Sequence, residues 1–299
     1  MPSLATRDLC FVIAVHNRRE FTRACLAALA PRDTRIVVVD DGSTDGTADM
    51  IRAGFPDVAV LAGGGDLWWS GATNLGARYA LARGAACVVC LNDDTLPRPD
   101  FALRLAEAAS RMPNTLIGAR AVDAHSGRPL FAGERMNWLA AAPYPAEPAG
   151  PDADFAEVTH APGRGLLIPA AVFAKIGFFD AVHFPQYAAD YDFTHRARRA
   201  GFGVVCYYPA VLGMYPDASG DAANRRRKSL ANYRQHLFGV KGGANLPVFV
   251  RYAARNCPPA LLPFCLAAGL ARRIGGYPAE WLRERAAEWR RWKHAGHQV

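Results

Sequence analysis

The sequence predicts an α/β fold whose sheet is parallel at its start and flanked by helices. Apolar runs at residues 9–15 (LCFVIAV), 35–39 (RIVVV), 58–61 (VAVL) and 86–91 (ACVVCL) alternate with stretches of helical periodicity. Runs of this kind suit parallel strands buried on both faces. Most end in turn-forming polar residues, at the strand ends where open α/β sheets bind ligands. The 299 residues, 51% hydrophobic, suffice for one domain of about 200 to 250 residues plus an appendage, and they exclude a disordered chain.

The first run ends in His16-Asn17-Arg18, and residues 19–30 then place Phe21, Cys25, Leu26 and Leu29 on one helical face, stopped by Pro31. The second run ends in Asp40-Asp41-Gly42-Ser43-Thr44-Asp45. This reads as a carboxylate pair, a glycine turn and then Ser43 or Thr44 as N-cap of a helix to about Gly54. An acid at that strand end can accept hydrogen bonds from a nucleobase or ribose, or simply cap the turn. The Lys-bearing phosphate-loop pattern is absent.

The third run leads into GGGDLWWSGATNLG at residues 63–76, with a helix expected from about Ala72 to Arg83. Trp68 and Trp69 could pack in the core, while Gly71 and Asn74 near the helix start suit a polar ligand. The fourth run breaks into Asn92-Asp93-Asp94. On an extended segment Asn92 and Asp94 share a face, so their oxygens could converge on a hard divalent cation and a diphosphate. The same triplet also suits a capped turn.

A helix over residues 98–112 and a strand from Thr115 to Val122 follow. The Ala, Pro and Gly-rich stretch from 123 to 157 is expected to be a long loop. Arg164, in APGRG, could meet a phosphate or form a surface salt bridge. Asp190, Asp192 and Arg196 lie in AADYDFTHR, where Asp190 could be a helix N-cap and the other two an exposed i,i+4 pair. A last strand is expected at Gly203 to Tyr208.

VIAVHNR, VVVDDGSTDGT, GGGDLWWSGATNLG and CLNDDT, in this order, resemble the nucleotide-sugar domain of family 2 glycosyltransferases with the GT-A fold. The double tryptophan and the asparagine opening the acidic motif look most like the rhamnosyltransferase-type members that build bacterial surface polysaccharides. The resemblance covers about residues 9–215. It implies a Rossmann-like mixed, mostly parallel sheet flanked by helices, and an inverting, metal-dependent transfer of a sugar from a nucleoside diphosphate to a glycan or polyprenyl-linked glycan.

Residue by residue, Asp41 matches the acid that reads the donor base, with the turn from His16 to Arg18 forming another side of that pocket. Ser43, Trp69, Gly71, Asn74, Asn92 and Asp93 complete the implied donor set. Asn92 and Asp94 match the ends of the family's D-x-D motif, with Asp94 holding Mg²⁺ or Mn²⁺. Asn92 departs from Asp, so the site carries one charge fewer. The family's Glu-Asp-x-Asp reads Ala189-Asp190-Tyr191-Asp192 here, which keeps Asp190 as the catalytic base, with Asp192 and Arg196 holding its helix and Arg164 on the acceptor side. The family often adds a histidine to the metal after the last strand; VLGMYPDASG offers Met214 and Asp217 instead.

The implied organisation is a catalytic domain over residues 1–222, with a donor half to about 97 and an acceptor half from about 98, and a helical extension over 223–299. The net charge of +8 is uneven: residues 225–299 carry 15 Lys or Arg against 3 Glu, a balance of +12. Tryptophan with arginine on an amphipathic stretch at 278–294 suggests a helix lying in a membrane interface. Packing on the catalytic domain or on a second subunit, as in a homodimer, is the alternative. The apolar stretch 257–271 is too short and too rich in proline to span a bilayer. Seven scattered cysteines and the lack of a signal peptide point to a reduced, cytoplasmic setting, peripheral to the inner membrane if the tail binds it.

Two rival readings remain at this point. A nucleotidyltransferase would use similar strand-end acids, but it should carry a glycine-rich loop after the first strand, where HNRRE has none. A basic nucleic-acid-binding protein rests on RRRK and the last arginines alone, without an accompanying motif. No nucleic-acid partner is expected.

Overall fold

A computed structural model describes residues 3–29, 33–150, 152–215 and 228–295. Contacts divide the chain into two compact units, Met1–Met136 with Pro143–Ala218, and Asn137–Ala142 with Ser219–Val299.

The first unit begins with β1 (Leu9–Val15), α1 (Arg19–Leu29), β2 (Arg35–Asp40), α2 (Thr47–Gly54), β3 (Ala59–Ala62), α3 (Trp68–Ala82) and β4 (Cys87–Asn92). These strands pair in parallel in the order β3, β2, β1, β4, as the expected α/β fold requires. The first five residues of β1 and of β4 are buried, because helices cover both faces of the sheet and a continuous apolar run satisfies both. The chain moves outward through β1, β2 and β3, then returns through α3 to place β4 on the other side of β1. The crevice at this reversal is the usual binding position of such sheets.

The sheet continues through β5 (Thr95–Pro97), α4 (Phe101–Arg111), β6 (Thr115–Asp123), β7 (Pro129–Phe131), β10 (Phe155–Glu157), β11 (Leu166–Pro169), α5 (Ala170–Ile176), α6 (Ala189–Arg199) and β12 (Gly203–Met214). The hairpin strands β8 (Glu134–Asn137) and β9 (Ala142–Pro145) form a separate two-stranded sheet. Strand β11 runs antiparallel to both β4 and β6, and so joins the parallel quartet to the parallel pair β6 and β12.

Four sequence expectations change. α2 begins at Thr47, not after Ser43 or Thr44, because the Asp45 carboxylate accepts the Thr47 N–H and hydroxyl. α3 begins at Trp68, so both tryptophans lie in its first turn. The stretch 123–157 is not one loop: it contributes short strands β7 to β10. β12 runs to Met214 rather than Tyr208, with a register shift between Tyr207 and Val211. Pro209, which has no N–H for the ladder, sits in that shift. Asp217 lies outside the described residues.

The second unit holds α7 (Leu230–Phe238), α8 (Leu246–Asn256) and α9 (Leu262–Ala295). Ser229 and Asn245 cap the first two, each side chain accepting the N–H three residues on. Pro258 and Pro259 lie in the connection, and Pro263 sits in the first turn of α9, where a missing N–H costs nothing. The stretch 278–294 is thus the second half of one long helix, with Pro278 inside it. Phe249, Ala253, Cys257 and Cys265 pack with Ala141 and Trp138. No described helix is long and apolar enough to cross a membrane. All seven cysteines are free and buried.

Candidate active site

The ends of β1, β2 and β4 are aligned, since Val15 pairs with Asp40 and Ala14 with Asn92. The turns leaving them are tied together by side chains. His16 Nδ1 lies 2.6 Å from the Asp41 carbonyl oxygen, which can only accept, so the proton is on Nδ1 and Nε2 accepts from Asn17 Nδ2 at 3.1 Å. Asn17 donates its N–H to Ser43 Oγ at 2.8 Å, and its Oδ1 accepts the Thr44 N–H at 2.7 Å. The first two turns are therefore one hydrogen-bonded surface.

Asp41 is buried, and its carboxylate organises the third turn: Oδ1 accepts from Gly65 N–H at 2.7 Å and Oδ2 from Trp68 N–H at 3.0 Å. Gly65 has φ +97, a conformation that suits glycine. Trp68 has φ +55, which is strained for a bulky side chain and is held by the bond to Asp41.

The next residue reaches the acidic motif. Trp69 Nε1 donates to Asn92 Oδ1 at 3.0 Å, its N–H donates to Gln186 Oε1 at 3.3 Å, and its ring meets Phe179 edge-on at 5.2 Å. Asn92 and Asp94 do not share a partner, contrary to the alternation argument. β4 ends at Asn92, residues 93 and 94 form a turn, and strand alternation stops there. Asp94 Oδ2 instead accepts from Arg18 Nη2 at 3.1 Å, and Arg18 Nε lies 3.5 Å from Asp93 Oδ2. The Arg18 guanidinium also lies over Phe21, 4.6 Å from the ring centre.

Asp93 is buried, and its Oδ2 has no hydrogen-bond partner. Burial pushes its carboxyl up to about 7, with Arg18 opposing the shift and Asp94 adding to it. Among the described residues no group of three or more His, Cys, Asp or Glu is placed to hold a metal ion. Two hard carboxylates at a strand mouth, one with a buried oxygen that accepts no hydrogen bond and faces Arg18 Nε at 3.5 Å, do fit Mg²⁺ or Mn²⁺ of the kind that takes one or two protein ligands and completes its shell with phosphate and water.

Asp190 lies in the first turn of α6, half-buried, behind Ala188 at φ 65. Its Oδ2 accepts from Gly163 N–H at 2.7 Å and its Oδ1 from Tyr191 N–H at 2.9 Å. Burial raises its pKa, while those two N–H bonds and the charges of Arg164 and His160 work the other way. Gly163 also touches Trp69: a Cβ at this position would run into Trp69 Cζ2 and Cη2, so a larger residue displaces the indole. Asn92, Trp69, Gly163 and Asp190 thus form one continuous chain of contacts.

The remaining expected residues have varied placements. Asp192 is fully buried and accepts from Arg196 Nε at 3.0 Å; Arg196 also donates to the carbonyls of Ile176 and Phe178 at 2.9 and 2.8 Å. The pair is a buried clamp on the turn after α5, not an exposed i,i+4 pair. Asn74 holds the other side of that turn, donating to Phe179 O at 2.9 Å and accepting Phe179 N–H at 3.0 Å. Gly71 packs over Leu67 one turn below, where a Cβ would lie 3.2 Å from Leu67 Cβ. Arg164 makes no surface salt bridge among the described residues, and its buried Nε has no hydrogen-bond partner. Sequence reasoning missed the roles of Asn17, Gly163 and Gln186. Only the glycine-rich APGRG hinted at one of them, and nothing in it pointed to an indole.

The glycosyl transferase family 2 model matches residues 10–177, more than half of the chain. The chain belongs to glycosyl transferase family 2. This family 2 glycosyltransferase is 28% identical over 199 residues to the uncharacterized protein Rv1525 of Mycobacterium tuberculosis, spanning 66% of this chain and 70% of that protein. A Mycobacterium bovis protein, Mb1552, also uncharacterized, matches equally. Among solved structures, GalNAc-T7 with UDP, GalNAc and Mn²⁺ superposes with a TM-score of 0.57 at 13% identity, covering 93% of this chain and 57% of the other. The chain therefore spans little more than half of GalNAc-T7. Staphylococcus aureus TarS residues 1–349 give a TM-score of 0.55 at 11% identity, covering 90% and 88%, and the same protein with UDP gives 0.52 at 15%, covering 89% and 72%. These likenesses show the GT-A glycosyltransferase fold.

Proposed function

We propose that this protein is an inverting glycosyltransferase that moves a hexose from a nucleoside diphosphate to a hydroxyl of a glycan or lipid-linked glycan in surface polysaccharide synthesis. The observation that carries the reading is the contact chain from Asn92 through Trp69 and Gly163 to Asp190. It supports the reading because the transfer needs a diphosphate seat and a base held on one framework. UDP in the solved neighbours makes a uridine donor the first choice, and the Trp68-Trp69 motif makes rhamnose the first sugar to try.

In this mechanism the surface of His16, Asn17, Ser43 and Asp41 holds the nucleoside, and Arg18 with Asp94 lies at the diphosphate. Asp190, kept basic by its burial, takes the proton of the acceptor hydroxyl as that oxygen attacks the anomeric carbon. The bond from that carbon to the donor phosphate breaks, and the nucleoside diphosphate leaves from the opposite face. A divalent cation on Asp94 and Asp93 would neutralise charge growing on the leaving diphosphate. Arg18 supplies fixed positive charge there, while Asp192, Arg196 and Asn74 keep the α5 to α6 turn in place.

The test is a thermal-shift panel of UDP-, dTDP- and GDP-sugars with and without Mn²⁺. One nucleotide should raise the melting temperature, by more when Mn²⁺ is present. A panel with no shift overturns the donor reading.

A further inference from the structure

The second unit carries a surface that glycosyl transfer does not use. Phe264, Ile274, Trp281, Leu282 and Trp289 of α9 are all exposed, at 60%, 46%, 41%, 63% and 56%. On the 3.6-residue repeat these five fall within about 100° of arc, one stripe running through most of the helix. Every residue from Trp281 to Ala286 is exposed. Aromatic and branched side chains held in water along a single line mark an interaction surface.

The charge around the stripe selects the partner. Residues 225–299 hold 15 Lys or Arg against 3 Glu. Of those acids, Glu280 and Glu284 are already paired with Lys228, at 2.8 and 3.7 Å. Arg283, Arg285 and Arg290 are exposed; Arg283 and Arg290 flank the arc, while Arg285 falls within it between Trp281 and Trp289, its guanidinium 5.6 Å from the Trp281 ring centre and free to extend from there toward the phosphates. A second copy of this surface would bring like charges together. An anionic bilayer accepts both features, with the apolar arc at the acyl boundary and arginine at the phosphates.

We propose that α9 is a monotopic membrane helix, lying in the plane of an anionic lipid surface and inserting Trp281, Leu282 and Trp289. The inference is independent of the transfer reading.

The experiment is co-sedimentation of the full chain with neutral phosphatidylcholine vesicles and with vesicles containing about 30% phosphatidylglycerol, a level that supplies anionic surface charge. Tryptophan quenching by brominated lipids is measured alongside. The protein should pellet with the anionic vesicles, at least tenfold less with neutral ones or in high salt, and be quenched by the brominated chains. Trp281→Ala with Trp289→Ala, at positions 41% and 56% exposed, should lose both signals while the protein still unfolds in one cooperative thermal transition. Failure to bind vesicles, equal binding to neutral vesicles, or binding unchanged in the double variant each overturns the proposal. So would a dimer or a nucleic-acid complex abolished by those substitutions without any vesicle binding.

Discussion

The indole N–H of Trp69 donates to Oδ1 of Asn92 at 3.0 Å, and the rim of the same ring rests on Gly163, whose N–H is bonded to Asp190. A tryptophan from the start of α3 thereby sets the position of two acidic segments far apart in sequence. Trp69→Phe keeps an aromatic ring beside Phe179 but removes the N–H and the ring rim that rests on Gly163. Losing one neutral hydrogen bond of about 1 kcal/mol should weaken nucleotide binding about fivefold, and the vacated rim should lower the melting temperature. Calorimetric titration with UDP checks this, and unaltered affinity would separate Trp69 from the donor site.

Gly163→Ala forces a Cβ into the indole. Overpacking of this kind costs about 1 to 3 kcal/mol. The melting temperature should fall, and Trp69→Phe, which removes the benzo ring that clashes, should restore part of the loss. The double-mutant cycle reads this directly; additive effects would mean the two residues are not coupled.

Asp190→Asn keeps an oxygen for the Gly163 N–H but removes the base. Nucleotide affinity should hold within about twofold while kcat falls by about 10² to 10⁴. Because burial raises the Asp190 pKa, the wild-type rate should decline on acidification at a pH above the ordinary aspartate range. Transfer by Asp190→Asn at the wild-type rate would remove Asp190 from its role.

Asp93 is nearly neutral-preferring when folded, its pKa pushed up to about 7 from 3.8. A carboxyl raised on folding contributes stability that is whole below the unfolded value and is lost as pH rises through the folded one. Asp93→Asn should therefore gain melting temperature relative to wild type as pH rises from 5 to about 8, the span bracketing that titration. A constant difference across that range would contradict the buried, raised carboxyl.

Arg18 holds Asp94 and neighbours Asp93, which are the oxygens expected to take a cation. Arg18→Ala removes a competing charge, and a partly exposed ion pair is worth about 1 kcal/mol. Mn²⁺ affinity without nucleotide should rise about fivefold, measured by paramagnetic resonance, while nucleotide affinity without metal falls. Mn²⁺ binding weakened by Arg18→Ala would show that the guanidinium does not compete for those carboxylates.

The sequence by itself determined the sheet and the places where chemistry gathers. Val and Ile runs such as LCFVIAV and CVVCL can only be buried on both faces, and the polar clusters at their ends follow from where the strands stop. His16, Asp41, Asn92 and Asp94 were legible for that reason. Only the tertiary structure decided which of these groups meet. Period-2 alternation placed Asn92 with Asp94, but the chain turns at residue 93, giving Asn92 to Trp69 and Asp94 to Arg18. Asn74 suits a polar ligand by its place near a glycine loop, and only the tertiary structure shows that its amide also bonds the Phe179 backbone 105 residues on. Asp192 and Arg196 have the spacing of a solvated helix pair, and nothing local reveals that Asp192 is buried or that Arg196 bonds the carbonyls of the turn after α5. Gly163 has no side chain with which to signal a role. Its importance arises because an indole 94 residues earlier in the chain needs the space a Cβ would fill. Pattern reports burial and strand ends, which are local properties; partners across the crevice are set by packing between segments that no short-range period connects.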